Sequence, residues 1–174
     1  MKTKTLFARQ MVFALLLGTS LHFTYDIFGQ NKLVALFSAI NESSWEHLKL
    51  VFIPFLLLTF YDIFAFKEQR GKAVFGKALA SLGGCLMVLI FFYTYSGIIG
   101  KNFLFMDILT FVLGILTGFW LNYAIIAERI KSPRHKGIYG TIIFLTLTLC
   151  FIVFTFLPPH INLFLDPVTH TYGI

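Results

Sequence analysis

The sequence predicts an all-α, polytopic membrane protein: one bundle of five transmembrane helices over residues 1–174, with a short interfacial helix between the first two. Three observations carry that prediction. The 174 residues are 57% hydrophobic and only 13% charged, where a soluble domain carries about a quarter charged residues. Mean hydropathy is +0.81, and five apolar runs match the roughly 20 helical residues that cross about 30 Å of hydrocarbon. No run alternates in the manner of a β-barrel, so the backbone polar groups must be satisfied within helices.

The spans are expected at residues 11–29, 48–66, 75–99, 103–127 and 138–157. The first follows a basic stretch that looks like the start of a secretion signal. It is read as a retained helix, because the apolar segment is long, contains His22 and Asp26, and shows no small-x-small cleavage site. After it, Leu33, Leu36, Phe37 and Ile40 recur at i, i+3, i+4 and i+7, one face of a helix. An amphipathic helix lying in the interface fits that pattern. Pro54 is expected to kink the second span. Gly83-Gly84 in the third and Gly114-x-x-x-Gly118 in the fourth allow close helix approach. Gly97 and Gly100, with Ser96 and Asn102, make a tight turn between those two spans, and Pro158-Pro159 stops the fifth. Cys85 and Cys150 fall within spans, as small apolar groups rather than a disulfide framework.

Charge sets the expected orientation. Eleven of the fourteen basic residues flank one side: Lys2, Lys4 and Arg9; Lys67, Arg70, Lys72 and Lys77; Arg129, Lys131, Arg134 and Lys136. The positive-inside rule then places the N-terminus in the cytoplasm and the C-terminus outside. The same placement accounts for the net charge of +6, so nucleic acid is not an expected partner. The outer side receives Asp26, Glu42, Glu46, Asp107 and Asp166, and four of the five histidines: His22, His47, His160 and His170. Acids contribute little to orientation, so this accumulation needs another reason.

The densest stretch is Asn41-Glu42-Ser43-Ser44-Trp45-Glu46-His47-Leu48-Lys49. His22 and Asp26 share a helix face four residues apart, and ionisable groups within spans are functional candidates. Asp26 would orient the imidazole; the alternative is a structural hydrogen-bond pair. Glu42 and Glu46 are likewise four apart, beside His47. Two carboxylates and a histidine suit a divalent cation or a division of acid and base roles. Ser43-x-x-Glu46 also matches a capping box, which would make Ser43 and Glu46 structural and leave Glu42 and His47 as the functional pair. His160 follows two prolines and completes the metal-ligand candidates His22, His47 and His160. Asp26, Glu42, Glu46 and Asp107 are the candidate acids and bases. Asn41, Trp45, Lys49, Tyr93, Tyr95, Lys101 and Asn102 are candidate substrate contacts. The aromatic members equally suit an interfacial belt and the lysines a snorkelling role. Asp107 is expected to pair with Lys101, and Asp62 with Lys67 and Arg70. No His-Glu-x-x-His, Gly-x-Ser-x-Gly, phosphate-binding glycine loop or Cys-x-x-Cys occurs.

Residues 41–49, Tyr-Thr-Tyr-Ser-Gly-Ile-Ile-Gly-Lys-Asn at 93–102 and Pro-Pro-His-Ile-Asn-Leu-Phe-Leu-Asp-Pro-Val-Thr at 158–169 resemble a family of small bacterial membrane proteins of unknown function. The likeness covers nearly the whole chain. It implies a multi-pass protein of the bacterial cytoplasmic membrane and carries no activity. A looser likeness, in Ser20, His22 and Asp26, is to the alkaline-ceramidase and adiponectin-receptor hydrolases, which use a serine, an aspartate and three histidines around zinc. This chain has no His-x-x-x-His pair and five expected spans instead of seven, so the likeness serves as an analogy for chemistry.

The expected site is an outward-facing pocket shared by the ends of the first, second, fourth and fifth spans. It suits a hydrolase using a divalent metal, most simply zinc, against a membrane lipid or lipid-linked substrate. A transporter or subunit binding a cation or small polar solute in the same pocket is the alternative. An accessory protein docking a membrane partner is a second. Against transport stands the lack of a second intramembrane site toward the cytoplasm.

Overall fold

The computed structural model describes residues 2–174, with side chains from Thr5 onward, so Lys2 and Lys4 lie outside the described side chains. Among the described residues the chain is all helical: α1 (Lys2–Ile27), α2 (Ser44–Ala65), α3 (Arg70–Ile99), α4 (Leu104–Ile126) and α5 (Lys136–Phe156). Each is long and apolar enough to cross a membrane. The helices α1 and α3 begin five to nine residues before the apolar runs do, because their first turns are polar and extend the helix beyond the hydrophobic stretch.

The bundle is organised around α2 and α3. In α2, 61% of the most apolar stretch is buried, against 17% in α5. Helix α3 packs on α4, α2 and α5, and α1 packs on α2 and α4. Val51, Phe52 and Phe55 of α2 meet Ile115 and Phe119 of α4 and Phe144 and Phe151 of α5 in the core. Glycine sets the closest approach: a Cβ on Gly84 would lie 2.7 Å from the Gly114 carbonyl oxygen.

Helix α2 continues through Pro54. Proline has no N–H, so the carbonyl of Leu50, four residues earlier, loses its helical donor. That carbonyl faces α1 where Gly18 stands, and a Cβ there would lie 2.5 Å from it. The proline and the glycine thus form one contact across two helices. At the far end of α3, Gly100 adopts φ +79 and closes the helix, its N–H donating to Ser96 O at 2.8 Å.

The amphipathic helix expected at 29–40 is reduced to one 3-10 turn, Val34–Leu36. The reason is competition for carbonyls. Lys49 Nζ donates to Ala35 O at 2.8 Å and Ser38 O at 3.4 Å, and the Ser38 hydroxyl accepts from Tyr25 N and donates to Leu21 O. These bonds pin the segment to α1 and α2 instead of letting it coil on itself.

At the opposite end of the bundle a second 3-10 turn, Lys67–Gln69, joins α2 to α3. Asp62 pairs there with a residue other than those expected. Arg70 Nε donates to Ile63 O at 3.1 Å, while Asp62 lies 3.3 Å from Lys77 Nζ and accepts from Gln10 Nε2 at 2.6 Å. Lys77 is not a flanking charge: it is two turns into α3, fully buried, and also donates to Gln10 Oε1 at 2.7 Å. Its ammonium stands 5.1 Å from the Phe119 ring centre and 5.6 Å from that of Phe7. Nearby, Lys72 donates to Glu128 at 2.8 Å, and that bond holds the exposed Glu128 carboxyl below its ordinary range.

Candidate functional site

Three sequence-distant side chains converge where α1 ends and α2 begins. His22 comes from the last turns of α1, Glu42 from the loop before α2, and His47 from the first turn of α2. One ligand atom from each lies within 4.8 Å of the others. Glu42 Oε2 is 3.4 Å from His47 Nε2, and Oε1 is 3.9 Å from His22 Nε2. The two imidazole centres are 5.1 Å apart.

The chemistry of these donors fits a divalent cation. His47 Nδ1 lies 2.9 Å from the Ser43 carbonyl oxygen, which can only accept. Nδ1 therefore carries a proton, and Nε2 on the Glu42 side is the ring atom that would meet a cation, since a ligating histidine commonly donates its other N–H to a backbone carbonyl. Zinc ligands at about 2.0–2.2 Å in a tetrahedron stand roughly 3.3 Å apart, so the trio is slightly open relative to a filled site. The side chains of His22, His47 and Glu42 are 31%, 29% and 49% exposed, which leaves one side accessible. Two histidines and a carboxylate are donor types that catalytic zinc sites use.

Other expected members lie elsewhere. Asp26 is exposed, and the His22 Nδ1 it was expected to engage is buried without a partner. His160 is stacked on Tyr172, ring centres 4.5 Å apart, and is not in the ligand group. Asp107 takes the Tyr95 hydroxyl on one oxygen and Asn102 Nδ2, at 3.2 Å, on the other. Its expected partner Lys101 instead lies over the Phe103 ring at 4.9 Å. Tyr93 is exposed and packs edge-on against Phe92. The single shared pocket of the sequence reading is thus resolved into separate groups.

The capping box is half formed. Ser43 Oγ accepts from Glu46 N at 3.3 Å, but Ser43 N donates to Asn41 Oδ1 at 3.0 Å instead of to Glu46. The Glu46 carboxylate is spoken for: it accepts from Lys49 at 2.6 Å, Ile40 N at 3.1 Å and Thr155 Oγ1 at 3.1 Å. Lys49, expected as a substrate contact, is fully buried in this network. Trp45 packs among Phe151, Phe154 and Phe164 instead of standing in a belt. Sequence reasoning missed Thr155, whose hydroxyl lies in an apolar run and carries no local signal. It also missed Gln10 and Lys77 as buried partners. Gln10 falls just before the first expected span and Lys77 only two residues inside the third, so by sequence both read as flanking residues.

These features define a class: an all-α chain of five helices, each long and apolar enough to span a membrane, with a His/Glu cluster at one end. Within that class the chain belongs to the Family of unknown function (DUF6512), whose model matches residues 2–174. Comparison with curated proteins and with solved structures returned no match.

Proposed function

We propose that the chain is a metal-dependent hydrolase of the bacterial cytoplasmic membrane, acting on a lipid or lipid-linked substrate at the extracytoplasmic surface. The observation that carries this reading is the convergence of His22, Glu42 and His47 within 4.8 Å. The basic-residue asymmetry supports the orientation, with the cluster outside. A divalent cation there, zinc most simply, would lower the pKa of a bound water to about 7. The chain's own residues supply the rest. Ser43 O fixes the His47 tautomer, and Glu42 adds the anionic ligand. Exposed Phe23, Ile27, Phe28, Leu33 and Phe37 present an apolar surface alongside, suited to a substrate arriving through the bilayer.

Metal content of the purified full-length chain is the direct test. One zinc per chain, lost with chelator together with thermal stability, is the expected result. Metal-free protein whose stability ignores chelator defeats the reading. A second reading, a cation- or solute-binding transport subunit, draws support from the buried Gln10, Asp62 and Lys77 group at the other end of the bundle. Hydrolysis of lipid in detergent micelles against solute uptake in proteoliposomes separates the two.

A further inference from the structure

Glu42 is the weakest-held member of the ligand trio. Among the described residues its carboxylate meets only the two imidazoles, and it sits in a loop, outside the helix that begins at Ser44. Its placement therefore depends on what fixes the backbone of residues 40–43. Ile40 N is held by Glu46 Oε2. Asn41 does more. Its Oδ1 accepts from Ser43 N at 3.0 Å, closing a side-chain turn directly around Glu42. Its Nδ2 reaches across 132 residues of sequence to donate to Gly173 O at 3.3 Å.

Gly173 belongs to a segment that folds back over the start of α2 after α5 ends. Trp45 N, an N-terminal amide of α2 without a helical acceptor, donates to Leu163 O at 3.0 Å. Phe164 packs on Trp45 with ring centres 5.0 Å apart. Leu165 and Tyr172 pair across an isolated antiparallel bridge, closing a loop whose turn is pinned by Asp166 through Val168 N and Thr169 Oγ1. At its end Gly173 takes φ +67, with Pro158 against its Cα face: a Cβ there would lie 3.0 Å from Pro158 Cγ and 3.2 Å from Thr155 O. The segment is thus a frame fixed to α2 and α5, and Asn41 ties the Glu42 loop to it.

We propose that Asn41 is a positioning residue which, through Gly173 O, holds the Glu42 carboxylate against His22 and His47. This rests on the metal reading of that trio. It also gives Asn41 a different role from substrate contact. Outer-shell partners of metal ligands typically change affinity 10- to 100-fold when removed.

The test uses the full chain in detergent, titrated with Co2+ as the probe, and amide hydrogen exchange over residues 40–47 as a second readout that needs no metal. The variants are Asn41→Ala, Asn41→Ser and Gly173→Val. Serine can keep the local turn to Ser43 N but cannot reach Gly173, and valine displaces the Gly173 carbonyl through Pro158 without touching Asn41. Expected are roughly tenfold weaker Co2+ binding in all three, a weakened tetrahedral Co2+ absorption band, and faster exchange over 41–47. Glu42→Ala should bind more weakly still. Variants that match the parent in both Co2+ affinity and exchange overturn the proposal. Should the parent bind no Co2+, the metal reading falls on its own. The exchange readout then decides the tether: faster exchange upholds the link to Gly173, and unchanged exchange overturns it.

Discussion

Glu46 and Lys49 stand one turn apart on α2 with carboxylate and ammonium 2.6 Å from each other, their side chains 3% and 0% exposed. The order suits the helix, with the acid at the dipole's positive end. Lys49 spends its remaining donors on Ala35 O and Ser38 O, so the pair joins α2 to the α1–α2 connection, and Thr155 extends it to α5. Removing one partner strands a buried charge, which typically costs about 3–5 kcal/mol. Lys49→Met should therefore lower the unfolding midpoint in denaturant sharply. A role in substrate contact would instead raise KM at unchanged stability.

The ligand assignment separates His160 from the other two histidines. Alanine at His22, Glu42 or His47 should weaken Zn2+ or Co2+ binding by at least about 100-fold, the upper end of what outer-shell changes produce. Alanine at His160 should leave metal stoichiometry and affinity as in the parent, because its ring is engaged with Tyr172. Isothermal titration of the four variants reads this directly. Equal loss in His160→Ala would mean that the segment after α5 closes onto the trio.

The buried group at the opposite end behaves as a three-helix pin. Gln10 of α1, Asp62 of α2 and Lys77 of α3 satisfy one another in a closed triangle. Lys77→Met or Asp62→Leu alone should destabilise by about 3–5 kcal/mol, whereas the double variant should recover most of that loss, as apolar replacement of buried pairs often does. A double-mutant cycle on unfolding in detergent gives the coupling. Additive losses would show that the two side chains do not act as a pair.

The sequence disclosed the helices and the turn at Gly100, because apolar run length and turn residues are local properties. It disclosed the trio only as candidates among many. Glu42 and His47 lie in one short stretch, but their meeting with His22 depends on how α1 crosses α2, which Gly18 and the freed Leu50 carbonyl set together. His160 looked equivalent to His22 by residue type and by the side of the membrane on which both were expected. What separates them is the fold-back that turns His160 onto Tyr172, a long-range packing outcome with no periodic signature. Glu46 matched a capping motif that proved half right, since its carboxylate is taken by Lys49 one turn on along α2 and by Thr155 of α5 instead of by the Ser43 amide.

Neighbouring glycines in α3 give opposite expectations. A Cβ on Gly84 would stand 2.7 Å from the backbone oxygen of Gly114 and 2.9 Å from Val51 Cγ1. Neither can retreat without moving α4 or α2. A Cβ on Gly83 would meet only the tip of the half-buried Leu121 side chain, a flexible group that can turn to another rotamer. Gly84→Ala should therefore destabilise by about 1–3 kcal/mol, the usual range for overpacking. Gly83→Ala should fall within about 1 kcal/mol of the parent, since the intrinsic gain of alanine over glycine in a helix offsets the small rearrangement. Thermal unfolding of the two variants in the same detergent separates them. Equal tolerance at both positions would show that α3 and α4 are not held at the separation that the Gly84–Gly114 contact requires.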